Sequence, residues 1–212
     1  MKKLVIAAAA CTLAAPAAFL SAQNASIPGQ MDPSRVAAGT YQLDPAHTLV
    51  SWQVNHFGFN DYFGLFGDIE GTMTLDPANI AATQFDITIP ITSVAVPSEG
   101  LRDHLLRAGK DGQPADFFGP EPEDAHFVST SVRQTSDTTA VVTGQLTMNG
   151  NTGPVTMAVQ FNGAGQNPMS EVQTVGFHGR ATIDRTQWGI NYGTPMVASN
   201  VDLDISAAFE LQ

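Results

Sequence analysis

The stretch HTLVSWQVNHFGFNDYFGLFGD, residues 47–68, carries the alternation that decides the fold. In an extended chain, successive side chains point to opposite faces, so Val50, Trp52 and Val54 lie on one side of the backbone. Glycines separate the aromatic residues that follow, as is typical where a chain reverses direction. The stretch therefore predicts a half-buried antiparallel strand that ends at His56, followed by a glycine-rich turn.

The same alternation recurs along most of the chain. In QFDITIPI, residues 84–91, Phe85, Ile87 and Ile89 lie on one face of an extended segment. Turn sequences rich in Gly, Asn and Pro separate further segments of this kind. These segments are FGDIEGTMTL, AHFVSTSVR, TAVVTGQLTM, GPVTMAVQFN, TVGFHGRATID and NVDLDISAAFEL. The sequence predicts an all-β fold of about eight antiparallel strands.

One segment, SEGLRDHLLRAG at residues 98–109, breaks this pattern and predicts a single short helix between strands. Ser98 can cap its first turn, and Gly109 can end it. Leu101 and Leu105 fall on one helical face. Eight antiparallel strands can form a sandwich or a closed barrel. Glycines within the strands favour the barrel, whose interior can hold one small ligand.

The first 22 residues have the features of a secretory signal peptide. Two lysines precede the apolar run LVIAAAACTLAAPAAFL, and small residues end at Ala22. A retained membrane helix is the alternative, but the run is short and rich in alanine. Residues 23–40 have no apolar period, so we expect a mobile lead-in before one domain at residues 41–212. Cys11 is the only cysteine and would leave with the leader, so disulfides are not expected.

The charge of the chain argues against nucleic acid as a partner. The sequence has 20 acidic residues and 9 Lys or Arg, a formal net charge of −11 at pH 7. A protein that neutralises phosphates needs the opposite sign, and so does a platform that stacks the bases of single strands. The same reasoning disfavours binding to anionic membrane surfaces.

Catalytic and metal-binding patterns are weak. The five histidines are widely separated, so we expect no metal site, and no nucleophile elbow or phosphate loop occurs. His56 continues the apolar face of its strand and is either an ordinary core histidine or a polar contact inside a cavity. Arg102, Asp103 and His104 lie together on the helix, either as a solvated face or as a site for an anionic group. No catalytic residue is assigned.

Together these segments resemble a known family. YQLDPAHTLVSWQVNHFGFNDYFGLF is similar to the opening signature of the YceI-like, polyisoprenoid-binding periplasmic proteins. The resemblance continues to residue 211, in order, through LRDHLLR, ADFFG, HFVSTSV, GQLTMNGNTGPVTMAVQFNG, GFHGRATIDRTQWGI and VDLDISAAFEL. It implies an eight-stranded antiparallel lipocalin-like barrel, exported to the periplasm, that holds an isoprenoid such as a quinone tail or a polyprenyl phosphate. It implies binding or carriage without catalysis, and no cofactor other than the bound lipid.

The helix departs from the family pattern in two ways. The family reads RD, one variable residue and then HL, whereas here His104 occupies the variable place and Leu105 stands where the histidine is expected. The family joins this helix to DF through a shorter link than AGKDGQPA, residues 108–115. A longer loop near the helix would reshape the cavity mouth, so the head-group specificity is not carried over.

The alternation and the resemblance together predict a cavity wall and a weaker set of head-group contacts. The predicted wall consists of Val50, Trp52, Val54, Phe57, Phe66, Phe85, Ile87, Ile89, Phe127 and Met157. The predicted head-group contacts are His56, Arg102, Asp103 and His104. Phe57 opens the predicted turn, residues 57–64, whose aromatics we expect to form the rim of an entrance.

Two functions of other classes stay open, and so does a homodimer. A structural or adhesion module would have a barrel packed solid and would carry no ligand. An enzyme that acts on a cavity-bound lipid would need an acid/base pair inside the tube.

Overall fold

A computed structural model describes residues 27–212 of the protein. The predicted signal peptide, including Cys11, lies outside the described residues. The strands are β1 (Gly39–Leu43), β2 (Leu49–His56), β3 (Asn60–Phe66), β4 (Glu70–Leu75), β5 (Gln84–Ile89), β6 (Ala125–Ser136), β7 (Thr139–Met148), β8 (Asn151–Gln166), β9 (Gln173–Asp184) and β10 (Val197–Leu211). The helix α1 (Glu99–Leu106) lies between β5 and β6. Within residues 27–212 no helix has the length and apolar character needed to cross a bilayer.

The strands close into an eight-membered antiparallel ring. β1 and β2 pair with successive parts of the same edge of β10, and β4 and β3 pair with β1 and β2 on the other side. β1 and β2 therefore form one barrel strand that is interrupted once, and β3 and β4 form a second such strand. The ring continues from β4 through β5, β6, β7, β8 and β9 to β10. The predicted eight-stranded antiparallel barrel with one short helix is confirmed.

Buried apolar side chains form two clusters at opposite ends of β8 and β9. One cluster contains Val155 of β8 and Ile183 of β9, and the other contains Phe161 of β8 and Val175 of β9. Inward residues of β5 pack against both clusters. The interior between them is where a ligand cavity can form.

Of the predicted lead-in at residues 23–40, residues 27–40 are described, and part of this segment is paired with the barrel. Gln30 exchanges two backbone hydrogen bonds with Ala164 of β8, at 3.0 and 2.9 Å. The backbone of Pro28 lies so close to Gly165 that a Cβ there would be 2.1 Å from the Pro28 carbonyl oxygen. β1 begins at Gly39, two residues before the predicted domain start. The segment is held by backbone hydrogen bonds and by its close approach to a glycine of β8. Contacts of this kind leave no apolar period in the sequence of the segment.

The predicted turn at residues 57–64 is shorter than expected. Only Phe57, Gly58 and Phe59 connect β2 to β3, and Phe57 and Gly58 take positive φ values of 57° and 73°. β3 pairs with β2 along its whole length, with Gly64 opposite Trp52. Gly64 therefore does not reverse the chain.

Candidate functional site

The barrel contains an apolar cavity of about 560 Å³. That volume lies within the range of small-molecule sites in proteins, about 300 to 1,000 Å³. All of the predicted wall residues except Phe57 line it, namely Val50, Trp52, Val54, Phe66, Phe85, Ile87, Ile89, Phe127 and Met157. The inward phase inferred from alternation therefore matches the structure along β2 and β5, while a role of these residues in binding a ligand stays a prediction.

Two glycines make room for the large rings of this wall. The Trp52 ring lies across Gly64 of β3, where an added Cβ would be 2.2 Å from Trp52 Cζ2. The Phe127 ring lies across Gly144 of β7, where an added Cβ would be 2.4 Å from Phe127 Cζ. A side chain at either glycine would displace the ring, so these glycines fix the course of the wall.

Phe57 does not line the cavity, which corrects its place in the predicted wall. Phe57 directly follows His56, the last cavity-lining residue of β2, with a positive φ, and its side chain is 46% exposed. The Phe57 ring contacts His56 edge to face, with ring centroids 4.3 Å apart. Phe59 and Met196 are also exposed, and the Phe57 N–H donates to the Met196 carbonyl at 2.8 Å. These three residues form an apolar rim at the end of the β2–β3 hairpin.

His56 lies at the last position of β2, lines the cavity and is exposed. Its partners across the strands are Asn60 of β3 and Val197 of β10. The histidine is therefore not a core residue, because the strand ends where the hairpin turns into solvent.

Helix α1 presents only part of the predicted polar cluster to the cavity. Ser98 caps the helix by accepting from the Leu101 N–H at 3.2 Å. Leu101, His104 and Leu105 line the cavity, whereas Arg102 and Asp103 are exposed and do not. Residues three and four apart share a helical face, and the two between them point elsewhere. Arg102 and Asp103 therefore lie off the cavity wall, and their contact with a head group stays a prediction.

His104 forms a polar and aromatic corner of the cavity wall with residues outside the helix. Its Nε2 lies 2.7 Å from Asp116 Oδ2. Its ring makes edge contacts with Phe117 and Tyr192, with centroids 5.1 and 4.8 Å apart. Phe117 and Tyr192 both line the cavity. His104, although it is displaced by one position from the family pattern, is the helix residue that reaches Asp116.

Asp116 is held as a carboxylate. The hydrogen bond from His104 is the main cause that lowers the pKa of Asp116, and Arg107, whose Nη2 lies 3.2 Å away, lowers it further. The inserted loop at residues 108–115 is not among the described residues that line the cavity, but Phe117 and Phe118, which follow it, are. An effect of residues 108–115 on the shape of the cavity mouth therefore stays a prediction.

A comparison with protein families decides the relationship of this chain. The YceI-like domain model matches residues 41–209. The chain belongs to the YceI-like family. A UPF0312 protein of Pseudomonas putida is 34% identical over 172 residues, which cover 80% of this chain and 85% of the relative. The resemblance seen in the sequence is thereby confirmed.

Solved structures share the YceI-like fold. BcnA of Burkholderia cenocepacia is similar with a TM-score of 0.64 and 26% identity, over 78% of this chain and 98% of that one. A domain of Saccharophagus degradans, described as a polyisoprenoid binding domain implicated in plant cell wall breakdown, is similar with a TM-score of 0.53. It is 12% identical over 83% of this chain and 100% of that one, so its likeness concerns the fold alone.

This YceI-like barrel also contains a buried arginine that the sequence analysis missed. Arg185, only 5% exposed, lines the cavity and donates to the carbonyls of Ile190, Tyr192, Val197 and Ala198 at 2.7 to 3.0 Å. Burial lowers the pKa of Arg185. The guanidinium anchors the loop that brings Tyr192 to the cavity wall. An arginine directly after a predicted strand was its only signal in the sequence.

The polar groups of the YceI-like site are few. Among residues 27–212, no group of three His, Cys, Asp or Glu side chains is placed to hold a metal ion. Most of the side chains that line the cavity are aliphatic or aromatic. The polar groups among them belong to His56, His104, Arg185, Trp52, Thr48, Ser98, Tyr62 and Tyr192. Such a wall favours an apolar chain with a small polar group over a charged metabolite.

Proposed function

We propose that the protein is an exported periplasmic carrier that holds an isoprenoid or similar long-chain lipid, such as a quinone tail or a polyprenyl phosphate, in its barrel cavity. The observation that carries this proposal is the cavity of about 560 Å³ with its apolar wall. A barrel packed solid, as a structural or adhesion module would need, would leave no such volume. The signal-like leader supports export.

The wall suits a tail of this kind on energetic grounds. Burial of each CH₂ group contributes about 0.8 kcal/mol, so one five-carbon isoprene unit contributes roughly 4 kcal/mol before entropic losses. A few units therefore suffice for tight binding without any precise polar contact. Aromatic rings and Met157 offer adaptable surface to a methyl-branched chain.

Family membership and a structural neighbour support the ligand class. The chain belongs to the YceI-like family over residues 41–209. The neighbour of similar fold from Saccharophagus degradans is described as polyisoprenoid binding. These two findings favour an isoprenoid over other long-chain lipids.

One observation favours a second function, an enzyme that acts on the bound lipid. The His104 and Asp116 side chains are 2.7 Å apart, the spacing of an acid/base pair, and His104 lines the cavity. Carriage is the better-supported function because Asp116 does not line the cavity and the His104 ring packs against the rings of Phe117 and Tyr192. Ser98 also lines the cavity, but its hydroxyl serves the fold as the helix cap, because it accepts from the Leu101 N–H.

The test is to recover the ligand from the native compartment. The full chain, with its leader, is produced in a Gram-negative host, released from the periplasm and analysed by native mass spectrometry and organic extraction. We expect an isoprenoid lipid that is chemically identical to the membrane pool. Protein that stays in the cytoplasm, or that carries no apolar ligand and binds no added isoprenoid quinone, would refute the carrier. A bound lipid that differs chemically from the pool would instead favour the enzyme.

A further inference from the structure

The apolar cavity wall contains a buried hydrogen-bond donor without a partner in the described residues. That donor is the indole Nε1 of Trp52. A buried N–H that forms no hydrogen bond is unfavourable, and native structures leave few such groups. The other tryptophan of the chain follows the usual rule, because Trp188 Nε1 donates to the Leu146 carbonyl at 2.9 Å. The unpaired donor of Trp52 therefore calls for a physical explanation.

The indole of Trp52 is held in one place by its neighbours. Trp52 lies in the middle of β2, opposite Leu203 of β10 and Gly64 of β3. A Cβ at Gly64 would be 2.2 Å from Trp52 Cζ2 and 2.8 Å from its Nε1, so the edge of the ring that carries the donor covers this glycine. On the hairpin side the ring lies 6.4 Å from the ring of Tyr62. The ring is thus held by packing against β3, and because its Nε1 has almost no accessible surface, a small shift of the ring or of its neighbours is needed to open the donor to a ligand.

We propose that Trp52 is a specificity-determining residue, whose Nε1–H donates a hydrogen bond to a carbonyl oxygen of the bound lipid. This inference rests on the proposed carrier function and narrows its ligand to a prenylated ketone or quinone. A pure hydrocarbon leaves the indole unpaired and binds less tightly. A carbonyl oxygen accepts the hydrogen bond from the indole without bringing a charge into the apolar cavity.

The charges around the cavity favour a neutral acceptor over a phosphate. The guanidinium of Arg185 already donates to four backbone carbonyls. His104 is engaged with the carboxylate of Asp116 at 2.7 Å. An anionic head group beside Trp52 would enter a wall with little uncommitted positive charge, in a chain whose formal net charge is −11.

The position of Trp52 places the carbonyl inside the barrel. His56 marks the exposed end of β2 and lies four residues from Trp52, about 13 Å along a strand that rises 3.3 Å per residue. The acceptor oxygen is therefore held within the tube and not at the apolar rim formed by Phe57, Phe59 and Met196.

Nuclear magnetic resonance can observe this hydrogen bond directly. The chain contains two tryptophans, so its ¹⁵N-labelled form gives two indole N–H signals, and the variant Trp52→Phe assigns them. The probes are geranylgeranylacetone and the hydrocarbon in which a methylene replaces its carbonyl. We expect the ketone to shift the Trp52 proton downfield, whereas the hydrocarbon does not. The signal of Trp188, already hydrogen-bonded, stays in place and reports that the barrel is folded.

Affinities for the same two probes give a second readout. Trp52→Phe keeps an aromatic ring but removes the donor, so we expect it to bind the ketone about 10-fold more weakly and the hydrocarbon within about twofold of wild type. The matched control is Phe85→Leu, which removes wall area but no donor. This control weakens both probes equally and keeps the preference for the ketone.

The outcomes separate this inference from the carrier function. If both probes bind with equal affinity and the Trp52 signal does not move, the donor role is overturned while the carrier stands. A Trp52→Phe variant that keeps the wild-type preference for the ketone also overturns the donor role. If neither probe binds, the carrier function fails and this inference fails with it.

Discussion

A larger side chain inside the barrel cavity is the most direct test of where the proposed ligand lies. Ile87 lines the cavity from β5, packs against both core clusters and pairs across the sheet with Gly71 and Phe127. We expect Ile87→Trp to project an indole into the empty space between the clusters. A ligand that passes this point would lose room for at least one isoprene unit, worth about 4 kcal/mol, or a factor of roughly 10³ in affinity.

The assay is a series of isoprenoid quinones with tails of increasing length, measured by fluorescence titration and by gel filtration with bound lipid. For wild type, affinity should rise with each added unit until the cavity is full. For Ile87→Trp, the rise should stop earlier, so that short tails bind nearly as before and long tails bind about 10³-fold more weakly than to wild type. The free energy of unfolding should change by less than about 1 kcal/mol, because the added ring enters unfilled space and not a packed core.

The matched control is Gln84→Trp, which adds the same ring to an exposed position of the same strand. We expect this variant to bind every tail as wild type does. Unchanged uptake of long tails by Ile87→Trp would refute the path along β5. If Ile87→Trp unfolds, Ile87→Phe repeats the test with a smaller ring, and a wild-type length dependence in that variant would refute the path equally.

Three further predictions concern the groups that shape the wall. Arg185→Met should lower the free energy of unfolding, measured by urea titration, by about 3 kcal/mol, because four carbonyls lose a charged donor. Arg185→Lys should recover only part of this loss. A loss of less than about 1 kcal/mol in Arg185→Met would contradict the anchoring role. Gly64→Ala should displace the Trp52 ring, with a changed near-ultraviolet circular dichroism spectrum and a loss of about 1 to 3 kcal/mol; an unchanged spectrum would contradict the contact. The hydrogen bond from His104 holds the pKa of Asp116 below its ordinary value, so the ionised carboxylate stabilises the fold above that ordinary value and the effect fades as the pH falls through the folded pKa. The urea midpoint of wild type should therefore exceed that of Asp116→Asn at about pH 6 and converge with it in acid, and a constant difference would contradict the assignment.

The barrel was readable from sequence because its strands are long and half-buried. Alternation along β2 and β5 gave the inward face residue by residue, since a period of two has only two phases and one contains the apolar side chains. The interruption of the first two barrel strands was not readable. Pairing with successive parts of β10 depends on the register of β10, a strand more than 130 positions away in the chain.

The cavity wall was predictable, and its polar corner was only partly so. Phe57 lies off the wall because the alternation that puts His56 inward puts the next residue on the other face. Arg102 and Asp103 also lie off the wall, because their neighbour His104 shares the inward helical face with Leu101 and Leu105. Arg185 was missed because its four acceptors are backbone carbonyls, which every sequence contains.

The cavity links the stability of the barrel to the volume that is left for a ligand. A larger side chain at Ile87 or Met157 would fill the space in which we propose that the lipid binds, at little cost to the fold. Selection for a stable fold alone would therefore tolerate such residues, although they would close the cavity. Under the proposed function, ligand binding is what keeps the cavity open in evolution, and a bound lipid adds stability to the loaded protein through mass action.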